Sequence, residues 1–185
     1  SAAKMTIDGA GAVTLATPLP VASGGTGSAT GGINLQTEVT CTTQTSIDWT
    51  VPAGVKRITL HFDGLSTNGT DKAILQIGPV AGVETSGYVS TAVFIANEIS
   101  GTAGFSLMFN NSAGEVYDGR MCLELGFAAT NSWTFGGMHR RSSAFELTTM
   151  AGSKPLAGEL TTVRLTTLIG TNQFDAGLVN LSWEF

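Results

Sequence analysis

Charge is scarce in this chain. Only 12% of its 185 residues are Asp, Glu, Lys or Arg, about half the share of an ordinary globular domain. Acidic residues outnumber basic ones, 14 to 9, for a net charge of −5 at pH 7. Nucleic acid is excluded as a partner on this balance, because phosphate binding draws on clustered Lys and Arg, and here no more than two stand together. Cysteine is nearly absent. Cys41 and Cys122 are too few for a disulfide framework and leave two readings open, a pair of buried thiols or one bridge. Zinc-type cysteine pairs, a His-Glu-x-x-His helix and a Gly-x-Ser-x-Gly elbow are all missing, so no metal, cofactor or nucleophilic catalysis is expected. No apolar run nears the eighteen or so residues of a spanning helix, and no charged-then-apolar leader opens the chain, so no membrane insertion is expected. The apolar spacing of an amphipathic helix is also absent.

What is abundant is glycine, 24 residues, together with Ser, Thr and Asn. Pro18 and Pro20 hold the backbone extended, and Gly24, Gly25, Gly27, Gly31 and Gly32 follow within a short stretch. No helix starts there. Residues 1–37 scatter Ile7, Val13, Leu15, Leu19 and Val21 among small residues, too sparsely for a core of their own. They read as an extended stalk or neck whose apolar points are covered by other chains.

From residue 38 to 185 the pattern changes to period-two alternation broken by turn residues. Ile47, Trp49 and Val51 share one face; Ile58, Leu60 and Phe62 share the next; Met121, Leu123, Leu125 and Phe127 make a third such run; Val179, Leu181, Trp183 and Phe185 close the chain. This predicts about ten antiparallel strands in an all-β, jelly-roll-like sandwich. Alternation held to the last residue predicts a packed C-terminal strand at the distal end of a larger object.

A resemblance sharpens this. Leu19-Pro20-Val21 followed by Gly24-Gly25-Thr26-Gly27 resembles the Gly-Gly-Thr-Gly element of bacteriophage tail fibres and related receptor-binding proteins. The block from Phe62-Asp63-Gly64-Leu65-Ser66-Thr67-Asn68-Gly69-Thr70 through Leu75-Gln76-Ile77-Gly78, with Glu84-Thr85-Ser86-Gly87-Tyr88 after it, is similar to one in distal domains of phage tail fibres and minor virion proteins. The resemblance implies a homotrimer in the virion, made in the host cytoplasm, that attaches to a bacterial surface through a glycan such as lipopolysaccharide or capsule, or through an outer-membrane protein. Three chains wound about one axis would also cover the stalk's apolar points.

Candidate contact residues follow from strand parity. If strands run strictly up and down from the one holding Trp49, every second connection lies at the far end: 52–54, 79–87, 110–119, 136–142 and 170–176. The near set is 63–72, 97–103, 129–131 and 151–158. Far connections carry Asn110, Asn111, Tyr117, Asp118, His139, Arg140, Arg141, Asn172 and Gln173, a mix of amides, a phenol, a carboxylate and guanidinium groups suited to glycans. The receptor-binding set is Tyr117, Asp118, His139, Arg140, Arg141, Asn172 and Gln173. The segment 136–142 reads as a glycine-hinged loop, either a ligand contact or a solvated turn with its arginines paired to acids. Tyr88 and Tyr117 read as strand-edge aromatics, while Trp49, Trp133 and Trp183 read as core. His61, on the polar side of its strand, reads as a hydrogen-bonded surface or interface residue or, near a trimer axis, as a group that binds a metal or an anion. Acid pairs such as Asp63 with Asp71, or Glu115 with Asp118, leave a polysaccharide depolymerase open as the enzymatic alternative, and a purely structural virion module as a third.

Overall fold

A computed structural model describes residues 5–7, 13–15, 32–94, 97–107, 112–142 and 146–185. Most of the predicted stalk, and Asn110 and Asn111, lie outside the described residues. Within the stalk, β1 (Met5–Ile7) and β2 (Val13–Leu15) form a short antiparallel ladder.

The rest is an antiparallel sandwich of two unequal sheets. The smaller is built from β5 (Ser46–Thr50), β7 (Ala73–Gly78), β10 (Phe105–Ser106) and β14 (Thr162–Thr167), in the order β10-β7-β14-β5. The larger opens with two short edge strands, β3 (Asn34–Leu35) and β4 (Val39–Thr40), both paired to β15 (Phe174–Glu184). Beyond β15 it continues through β6 (Arg57–Thr67), β11 (Tyr117–Phe127), β12 (Ser132–Arg141), β13 (Glu146–Pro155), β8 (Val89–Phe94) and β9 (Asn97–Gly101). The edge strand takes in Asn34 and Leu35, which the sequence assigned to the stalk. Among the described residues the only helical turn is a 3-10 turn at Ala128–Thr130, closed by Asn131 in the left-handed region at φ 46°.

Alternation fixes what is buried. Ile58, Leu60 and Phe62 of β6, Met121 and Leu123 of β11 and Trp133 and Phe135 of β12 point inward to meet Ile47, Trp49, Leu75, Ile77, Val163 and Leu165 of the smaller sheet. Phe105 stacks on Phe135 with ring centres 4.5 Å apart and meets Tyr88 edge-on at 4.9 Å. Burying each such side chain contributes about 2 kcal/mol. Tyr88 is part of this core rather than a surface platform: its hydroxyl accepts the Ile77 N–H at 2.7 Å and reaches the Glu84 carbonyl at 2.9 Å. Trp49 and Trp133 are buried, and Trp183 is packed against the same core. Both cysteines are free thiols, and burial pushes Cys41 up to about 11.

Register defines the two ends. Glu184 pairs with Arg57, and Arg57 with Glu124, while Asn34 pairs with Trp183. The start of β3 and the end of β15 therefore share one end of the sandwich, called proximal below. Segments 51–56, 79–88, 102–104, 128–131 and 156–161 close this proximal end. Segments 41–45, 68–72, 107 with 112–116, 142 and 168–173 lie at the opposite, distal end, tied by the Asn68 N–H to Gln173 and the Gly114 N–H to Thr67.

These positions correct the parity argument in two places. The chain first runs along β15 as β3 and β4, so it enters β5 from the distal end, not the proximal one. The segment 97–103 is not one connection, because β9 occupies most of it. Connections 52–54 and 79–87 therefore lie at the proximal end, and of 63–72 the residues beyond β6, 68–72, lie at the distal end, opposite to expectation. Past β9 the two omissions cancel: residues 112–116 and 168–173 lie at the distal end as expected, and of 136–142 only the end of β12 and Ser142 reach it. The C-terminal strand is packed through Trp183, with Phe185 half exposed, and the Lys56 N–H bonds the Glu184 carbonyl at 2.8 Å.

Candidate functional site

The segment 136–142 is not a loop. Residues through Arg141 belong to β12, paired residue for residue with β11 and β13. Alternation from Trp133 and Phe135 carries His139 and Arg141 inward and Arg140 outward. His139 is 1% exposed and lies edge-on to Tyr117 at 5.1 Å and to Phe62 at 6.1 Å. Opposite it is Gly119, where an added Cβ would come within 2.6 Å of the His139 Cβ. Only glycine leaves room there. Burial lowers His139 to about 4, against the pull of nearby Leu107 and Arg140 backbone groups, and Arg141 pushes the same way as burial.

Arg141 forms the centre of a buried cluster. Its Nη1 donates to Glu115 at 3.0 Å, its Nη2 forms a short contact with Glu146, and its guanidinium carbon lies 4.9 Å over the Phe94 ring. The Tyr117 hydroxyl donates to Glu115 at 2.7 Å, and burial with that carboxylate drives its phenol far up. Tyr117 and His139 are thus structural, buried where the sequence expected them to meet a receptor. Breaking a buried pair of this kind costs about 3 kcal/mol or more.

The remaining expected contacts are distal and reachable but already committed. Asp118 accepts from Arg140 at 2.9 Å and from the Gly64 N–H at 2.8 Å. Those two bonds, the arginine's first, hold its carboxyl below the usual range. Gly64 sits at φ +65°, facing Gly177 at φ +97° across irregular β6–β15 pairing, so Asp118 fastens a bulge that only glycines can adopt. Asn172 accepts the Asp71 N–H at 2.8 Å, Asp71 accepts the Ile169 N–H at 2.7 Å, and Gln173 and Asn68 exchange bonds across the same end. The exposed apolar pair Leu168 and Ile169 crowns this loop.

The larger sheet presents a second region on its outer face, which the sequence left unassembled. Ser182, Thr59, Cys122 and Gly136 stand in one row across β15, β6, β11 and β12. Their small side chains floor a cavity of about 630 Å³ walled by Leu35, Arg57, His61, Arg120, Glu124 and Met138. On one side of that row Arg57 bridges Glu124 at 2.6 Å and Glu184 at 3.6 Å. On the other stand Asn180, His61, Arg120 and Met138, each opposite the next. A smaller hollow of about 390 Å³ continues distally past Arg140 to Leu147. The outward parity of His61 was legible; its adjacency to Arg120 was not, because register joins residues far apart in sequence.

Among the described residues no cluster of His, Cys, Asp and Glu has the makings of a metal site. The arrangement defines a class at the level of fold, an all-β antiparallel sandwich with a distal loop end and one grooved sheet face. No family model matches the chain, and no curated protein or solved structure matches it.

Proposed function

We propose that this chain is a host-recognition module of a bacteriophage tail fibre, a homotrimer in the virion that attaches to a bacterial surface glycan or outer-membrane protein without cleaving it. The observation that carries the reading is the polarity of the sandwich. Strand β3 enters the sandwich at the proximal end, where Asn34 pairs with Trp183, and the loops of the opposite end are displayed on a sheet scaffold rigid enough to hold them. The likeness of the Gly-Gly-Thr-Gly stretch and of the Phe62–Tyr88 block to fibre proteins supports the same reading. So does the scarcity of free charge, which favours short-range recognition over long-range attraction. Three linked copies would multiply weak single-site affinity.

Competition tests it: the isolated protein should slow adsorption of the phage to its host and release no new reducing ends from host polysaccharide. Failure to compete points instead to a structural virion module, and new reducing ends to a depolymerase. Sedimentation should give a mass about three times the 19.0 kDa chain.

A further inference from the structure

Four of the five arginines are neutralised by carboxylates. Arg57 pairs with Glu124 and Glu184, Arg140 with Asp118, Arg141 with Glu115 and Glu146, and Arg164 with Asp48. Arg120 forms no ion pair among the described residues, although acids outnumber bases in this chain. It is exposed and borders both hollows of the outer face. His61 stands opposite it on β6, and Asn180 stands opposite His61 on β15. The Asn180 side-chain oxygen is occupied by the Leu181 N–H at 2.8 Å, which leaves the amide N–H groups as its free end. The row therefore offers a guanidinium fork, an imidazole and an amide, with no carboxylate among them.

The geometry points to an acidic saccharide as the occupant of this face. We propose that Arg120, with His61 on one side and Met138 on the other, clasps the carboxylate or phosphate of a charged sugar lying in the groove floored by Thr59, Cys122 and Gly136. A guanidinium fork matches either anion with two parallel hydrogen bonds. The Met138 side chain, more than half exposed beside Arg120, supplies an apolar surface for a ring face, and the cavity volume falls in the range of small-ligand sites. A neutral sugar would leave the guanidinium without a counter-charge. A nucleic acid would need many more cations than this one. The inference rests on the recognition reading and moves its chemistry from the loops to the sheet face.

The test is titration calorimetry of the intact protein with oligogalacturonate, with a phosphomannan oligosaccharide and with carboxyl-reduced oligogalacturonate, alongside adsorption competition. At least one acidic probe should bind about tenfold or more tightly than the reduced one, the two acidic arms telling carboxylate from phosphate. Arg120→Ala should lose about tenfold or more of that binding at unchanged melting temperature, with Arg120→Lys in between. Equal binding of acidic and reduced probes, no binding of either acidic probe, or an Arg120→Ala variant that binds like the parent overturns the inference. So does a change in solution mass in that variant without a change in saccharide binding, which would make the face a contact between copies. If no probe binds while the protein still blocks adsorption, only this inference falls; if an acidic probe binds through Arg120 and adsorption is not blocked, the fibre-tip reading falls and the inference stands.

Discussion

The distal end of the sandwich and the outer face of its larger sheet both gather cationic side chains, and the two regions use them differently. At the distal end Arg141 is enclosed between Glu115 and Glu146 over Phe94, and Arg140 is bound to Asp118. On the face, Arg57 is bridged to Glu124 and Glu184, but Arg120, beside His61, has no carboxylate partner among the described residues. The first arrangement holds the loops in place; the second leaves hydrogen-bond donors to spare. Two adjacent arginines in a sequence are conspicuous, yet their charge is already spent, while a solitary arginine in mid-strand keeps its own.

The largest effect is expected at Arg141. Arg141→Ala strands two carboxylates in a largely buried site and should cost about 3 kcal/mol in urea unfolding; a loss below about 1 kcal/mol would mean the cluster does not hold the end together.

Acid should act on the same end through His139. Its folded pKa of about 4 lies below the unfolded value of about 6.5. Above pH 6.5 it contributes nothing. As the pH falls from 6.5 to 4 the unfolded chain takes a proton that the folded one refuses, so stability drops by up to about 3 kcal/mol and then levels. His139→Phe should remove that share of the decline, and parallel pH–stability curves for the two proteins would refute a buried neutral imidazole. A smaller effect belongs to Asp118→Ala, about 1 kcal/mol, from loss of the Gly64 amide acceptor and the partly exposed Arg140 pair. Smallest of all, Arg120→Ala should shift stability by under about 0.5 kcal/mol, since nothing described in the fold depends on its charge.

Much of the sandwich was legible because its main strands alternate plainly, as in Ile58, Leu60 and Phe62. The edge strands β3 and β4 escaped, being two residues each, and β9 escaped because Ile99 is its single inward apolar residue. Those short elements decide which end a loop occupies, so small omissions reversed three of the nine parity assignments. The burial of His139 was available in principle: extending the beat of Trp133 and Phe135 across Gly137 reaches it. The glycines of 136–137 suggested a hinge instead, whereas in the sheet Gly137 accommodates close backbone, a Cβ there falling 2.6 Å from the Arg120 carbonyl. The groove could not be read from the chain, since it exists only once four strands are in register.

Side-by-side affinities of Arg120→Ala and Arg140→Ala for the acidic oligosaccharide probes test most directly whether accessible binding chemistry lies on the face. The account predicts a loss of about tenfold or more for Arg120→Ala and less than about twofold for Arg140→Ala, whose guanidinium is already held by Asp118. A large loss confined to the Arg140 variant, or equal losses in both, would contradict it.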